Sequence, residues 1–112
     1  MLPIHKAIEQ MDEEMLITLL ERGANPNEHD PELGGFTALH LAVDIECEEA
    51  CLRYDRGELG AHPQARLSRL LVAAGANPNL TDSSGVTPLG MAEERNHTEA
   101  LTLFASLQHR EQ

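Results

Sequence analysis

Apolar residues fall in short helical stripes separated by polar breaks. "MLITLLER" (residues 15–22) and "RLSRLLVAA" (residues 66–74) each place apolar side chains three or four positions apart, the spacing of a half-buried helix. Each stripe runs into the same five letters, Gly23-Ala24-Asn25-Pro26-Asn27 and Gly75-Ala76-Asn77-Pro78-Asn79. A polar stretch follows in both copies, then Gly-x-Thr-x-Leu: Gly35-Phe36-Thr37-Ala38-Leu39 and Gly85-Val86-Thr87-Pro88-Leu89. Between the copies, Leu39, Val43, Cys47, Ala50, Cys51 and Tyr54 form a third helical stripe. The pattern predicts a repeated unit of helix, turn, helix, glycine and polar hairpin.

The punctuation supports that reading. Gly23 and Gly75 close helical runs, where a left-handed residue ends the helix and glycine adopts that conformation cheaply. "NPN" has turn chemistry, with Pro fixing φ and Asn bonding local backbone. Thr37 and Thr87 stand where a hydroxyl caps the free N–H groups of a new helix. Pro3 and Pro88 fall at the first helical position, where a missing N–H is tolerated.

"GFTALHLA" and "GVTPLGMA" resemble the ankyrin-repeat signature Gly-x-Thr-Pro-Leu-His-x-Ala, and "LLERGANPN" and "LLVAAGANPN" are similar to its second-helix ending. The resemblance covers nearly the whole chain. It implies an all-α solenoid of stacked antiparallel helix pairs with β-hairpin-like loops projecting from one edge. It sets repeat 1 at about 1–34, repeat 2 at about 35–84 and repeat 3 at about 85–112. The helices expected are Pro3–Met11 and Glu13–Arg22, then Pro88–Glu94 and Thr98–Leu107, with "QHREQ" as a fraying tail. Asn96 takes the place of a turn glycine, which Asn tolerates. His5 and His40 match the family's histidine, which implies a structural bond to the hairpin backbone of the neighbouring repeat. Gly90 replaces the third histidine and implies a weaker link there. About three repeats are the minimum for an independent fold, so the chain is expected to be modestly stable and stabilised by a bound partner.

The middle unit departs from the pattern. It carries about 17 residues beyond a period of about 33, placed at about 44–62. Its first helix is expected to continue or restart through Tyr54 or Arg56, "GELGAHP" to turn the chain, and Pro63 to begin the second helix, which runs to Ala74. The first hairpin, "EHDPELGGFT", is also two residues longer than its counterpart "LTDSSGVT". In repeat arrays such additions map to exposed loops, often on the binding face.

Composition narrows the function. With 19 acidic and 8 basic residues in 112, the formal charge is −11, which disfavours nucleic acid and anionic membranes and favours a basic partner. Aromatics make up only 3%, so the core must come from small and aliphatic side chains in closely packed helices. No run approaches the roughly 18 apolar residues that span a bilayer, and the start of the chain lacks the pattern of a secretory leader. Cys47 and Cys51, four apart, are poorly placed to bridge each other and suggest free thiols in a reducing, cytoplasmic setting.

No chemistry-bearing motif emerges. Cys47 and Cys51 with His40 or His62 do not have a zinc spacing, and no nucleophile–base pair, phosphate loop or EF-hand pattern is present. No metal, cofactor or catalytic activity is expected. The acidic stretch Asp44–Glu49 reads as a solvated helix face that could receive a basic partner. Phe36 at a hairpin tip and Tyr54 in the insertion are rings outside the repeat core, the type favoured at interface centres. The resemblance implies a protein-binding module whose contacts come from His29, Glu32, Leu33 and Phe36 on the first finger and Thr81, Ser83 and Val86 on the second. Glu9, Asp44, Ile45, Glu94 and Arg95 at the helix ends, together with Tyr54, complete the expected surface. Small size and acidity also resemble immunity proteins that cover a basic toxin. A self-associating component, as a weak homodimer through repeat ends, is the competing class.

Overall fold

The computed structural model describes residues 1–110, with side chains through Leu107. The described residues form six α-helices: α1 (Pro3–Glu9), α2 (Glu13–Glu21), α3 (Ala38–Asp55), α4 (Arg66–Ala73), α5 (Pro88–Glu94) and α6 (Thr98–Arg110). A 3₁₀ turn at Pro31–Leu33 sits in the first hairpin. α1 and α5 flank α3, and α2, α4 and α6 back onto them in a second layer. Ile4, Ile8, Leu16, Leu39, Val43, Leu67, Leu71 and Phe104 fill the space between the layers. This is the aliphatic core the composition requires, with Phe104 its one ring.

Local chemistry starts the helices where expected. The Thr37 hydroxyl accepts from the His40 N–H, and the Thr87 hydroxyl accepts from the Gly90 N–H at 3.0 Å. Pro3 and Pro88 occupy first positions of α1 and α5. Three left-handed residues end the first helix of each pair: Met11 (φ 53°), Gly57 (φ 105°) and Asn96 (φ 57°). The next N–H then reaches back to the helix, Asp12 to the Ala7 carbonyl, Glu58 to Arg53 and His97 to Ala92, at 2.9–3.0 Å. Because Met11 is left-handed, α1 stops at Glu9, short of the expected Met11.

The insertion is a helix extension followed by a pinned loop. α3 is continuous for 18 residues against 7 in α1 and α5, so its far end stands about 16 Å beyond theirs. Pro63 does not begin the second helix; α4 starts at Arg66. The groups between are bonded elsewhere. The His62 carbonyl accepts from Arg53 Nη2 at 2.8 Å, and the Ala65 N–H donates to Glu99 Oε1 at 3.0 Å. The expected tail is helical through Arg110, and residues 111–112 lie outside the described part.

Candidate protein-binding surface

The two fingers form one ridge. In the first, the Asp30 N–H donates to the Phe36 carbonyl at 2.9 Å; in the second, Asp82 repeats this with Val86 at 2.8 Å. Each aspartate also holds its own turn. The Asp30 carboxylate accepts from the N–H groups of Leu2 and Glu32, and Asp82 Oδ1 accepts from those of Ser84 and Val86. These bonds stabilise the charged form and pull both carboxyls below the usual range, the Leu2 bond contributing most at Asp30 and the Val86 bond most at Asp82.

Finger is joined to finger by the Ser83 N–H to Gly34 carbonyl bond (3.0 Å) and by His29 Nε2, which donates to the Thr81 carbonyl (3.1 Å). Gly35 makes the approach possible: at φ +76°, a Cβ there would lie 2.5 Å from Ser83 Oγ. Asn27 adds a third link, accepting from the Asn77 N–H (2.8 Å) and donating to the Gly75 carbonyl (3.1 Å).

The matching histidines have the structural role that their position implies. His5 Nε2 donates to the Phe36 carbonyl at 2.9 Å and His40 Nε2 to the Val86 carbonyl at 2.7 Å, so each helix holds the finger of the next pair. His40 Nδ1 accepts from the Thr37 N–H at 3.1 Å, which leaves the proton on Nε2. Burial favours the neutral ring and lowers the His40 pKa. His5 Nδ1 has no partner among the described residues, because Leu2 stands where the second unit has Thr37.

The expected contact residues divide into three places. His29, Glu32, Thr81 and Ser83 are exposed along the ridge. Leu33, Phe36 and Val86 belong to the same ridge but are half-buried; the Phe36 ring stacks on His40 with centroids 5.3 Å apart. The Phe36 and Val86 carbonyls are also committed to histidine. Glu9 and Glu94 are exposed at helix ends, Ile45 packs partly into the core, and Arg95 is paired with Asp44. Tyr54, 53% exposed, lies 17 residues along from Thr37, which puts it about 25 Å from the fingers.

The acidic stretch is not a uniform solvated face. Helical geometry turns Glu46 and Cys47 inward while Asp44, Glu48 and Glu49 face out. Glu46, 2% exposed, accepts from the Ser68 hydroxyl (2.7 Å), the Ser68 N–H (2.9 Å) and His97 Nε2 (2.8 Å). His97 Nδ1 accepts from the Ala100 N–H at 3.2 Å, so its ring is the neutral Nε2–H form. Serine, histidine and carboxylate meet here without the geometry of a nucleophile. Ser68 is bonded to Glu46 and not to the imidazole, and all three are sealed from solvent. The cluster joins α3, α4 and α6. Among the described residues, no three His, Cys, Asp or Glu side chains converge as a metal site.

The ankyrin-repeat family model matches residues 1–31 and 34–83, well over half of the chain. The chain belongs to the ankyrin-repeat family. Its all-α solenoid is similar to the crystal structure of an ankyrin repeat domain from Acinetobacter baumannii, with TM-score 0.70 and 31% identity over 92% of this chain and 45% of that one. Curated relatives include protein fem-1 homolog A of Bos taurus and protein fem-1 homolog A-A of Mus musculus, each 36% identical over 62 residues. That segment is 55% of this ankyrin chain and 9% of either relative, so the chain spans a small part of their length. Ankyrin repeats are generally protein–protein interaction modules, and the fold is typically a non-catalytic one.

Proposed function

We propose that this ankyrin domain recognises a partner protein bearing a basic patch, through its two fingers and the concave helix face of α1, α3 and α5, and that it does so without catalysis. The ridge carries the proposal. Two fingers are cross-bonded into one rigid edge that leaves His29, Glu32, Thr81 and Ser83 exposed. A pre-ordered edge loses little entropy on binding. The charge of −11 supports a basic partner, with association that is fast and weakened by salt. Free Cys47 and Cys51 support a reducing, cytoplasmic setting.

A narrower form of the proposal is inhibition of a basic toxin domain, for which acidity is the support. The test is affinity capture with the wild type against Phe36→Ala combined with Glu32→Lys. Loss of capture in the variant is expected; equal capture of the same proteins sinks the finger surface.

Exposed Met15 and Ile17 on α2 favour self-association as a second reading. Sedimentation across a wide concentration range decides it, since a concentration-independent monomer removes the homodimer.

A further inference from the structure

The insertion builds a groove on the edge away from the fingers. The last turns of α3 pass the end of α5, and the chain then folds back beside them. Arg53 fixes the return: Nη1 donates to Glu58 Oε2 at 2.7 Å and Nη2 to the His62 carbonyl at 2.8 Å. Glu99 holds the other end of the loop through the Ala65 N–H and His62. Between helix and loop lies a groove of about 300 Å³, with Ala50, Cys51 and Tyr54 on one wall and Ala61 and Pro63 on the other. Cys47 lies at its base, and Asp55 and Arg95 are its charged members.

Size and charge together define an occupant. A volume near 300 Å³ is at the lower bound of ligand pockets and suits one bulky side chain. The rim is acidic. Asp44, Glu48, Cys51 and Asp55 are spaced four, three and four residues apart and share a stripe of α3. Arg95, the single cation among the described lining residues, is paired with Asp44 and has Glu48 nearby. Burial, the largest influence on Cys47, raises its thiol pKa, so the base of the groove is neutral and apolar. Exposed Leu52 and Leu59 extend the apolar character of the insertion.

We infer that this groove is a second docking site, which takes one bulky apolar side chain flanked by lysine or arginine from a partner protein. The site rests on the protein-binding reading only in that its occupant is a protein segment. It shares no residue with the two fingers, whereas Tyr54 and Arg95 of the expected contact surface line it and Asp44 stands on its rim.

The experiment titrates the ¹⁵N-labelled chain with acetyl-Lys-Lys-Trp-Lys-Lys-amide and follows amide shifts. Movement at Cys51, Tyr54 and Ala61 is expected, with Phe36 and Ser83 unmoved. Binding weakens about tenfold when Ala replaces the central Trp or Glu replaces the lysines. Ala61→Phe, which plugs the groove from the loop, abolishes the shifts, and Tyr54→Ala on the exposed helix face weakens them. Glu32→Lys on the finger leaves them intact. Circular dichroism checks that each variant folds. Absence of groove shifts, equal binding of the Glu-flanked peptide, or undiminished binding to folded Ala61→Phe overturns the site, whatever the capture experiment says of the fingers.

Discussion

Replacing Glu46 with alanine should be among the most damaging changes in the chain. The carboxylate accepts three hydrogen bonds in a sealed space, two from Ser68 and one from His97. Removing it leaves three buried donors without an acceptor. Each unsatisfied group costs about 1–3 kcal/mol, and the Ser68 hydroxyl can turn to another acceptor, so the total lies toward the low end of three such costs. We expect Glu46→Ala to lose about 4 kcal/mol by that reasoning. A domain of this size holds about 5–15 kcal/mol, so a quarter or more of the stability would go. With a urea dependence of about 2 kcal/mol per molar, the midpoint falls by about 2 M. Equilibrium urea unfolding followed by circular dichroism measures it. His97→Ala and Ser68→Ala are milder and keep the experiment informative if Glu46→Ala is unfolded. Combining either with Glu46→Ala should cost much less than the sum, because the partner is already lost. A loss below about 1 kcal/mol for Glu46→Ala, or strict additivity with His97→Ala, would refute the idea that the cluster acts as one unit.

Other positions give sharper local tests. Leu2→Thr restores the cap seen at Thr37 and offers a hydroxyl proton to the lone His5 Nδ1. The cap is worth about 1 kcal/mol and satisfying the ring up to about 1–3, against about 1 for half-burying a leucine. A thermal melt should rise by about 4 °C. Gly35→Ala forces a Cβ to 2.5 Å from Ser83 Oγ and 2.9 Å from its backbone nitrogen, whereas a Cβ at Gly34 meets open space. Both pay left-handed strain of about 1–2 kcal/mol, so denaturant titration should find Gly35→Ala clearly the worse of the two. Because burial depresses the His40 pKa, the unfolded chain takes up that proton first; stability is full above about pH 6.5 and declines as pH falls below it. Urea midpoints between pH 8 and 5 should show this slope, and His40→Gln should flatten part of it.

The repeat was legible because its signals are local. Glycine at a left-handed φ, threonine before a helix and histidine three residues later each constrain only a turn of chain. The periodicity of Leu39, Val43, Cys47 and Ala50 was enough to expect helix as far as Tyr54 or Arg56, continued or restarted, and the structure shows it unbroken. Glu46 was hidden because its partners, Ser68 and His97, lie 22 and 51 residues away. The run of acids around it looks like a solvated face until the stripe Leu39, Val43, Ala50 is seen to include position 46. The late start of α4 depends on Arg53 and Glu99 holding the loop, which no local pattern shows. Tyr54 and the fingers both read as contact surface, and the unbroken 18-residue length of α3 separates them.

The histidine bonds also give the stack a direction. His5 serves the finger that follows α2, and His40 serves the finger that follows α4. Gly90, at the corresponding place in α5, has no side chain to offer. The relay therefore runs from the amino end toward the carboxyl end and stops. A further hairpin grafted beyond α6 would meet a helix unable to hold it. Extending this protein by design would begin with Gly90→His, before any new repeat is added.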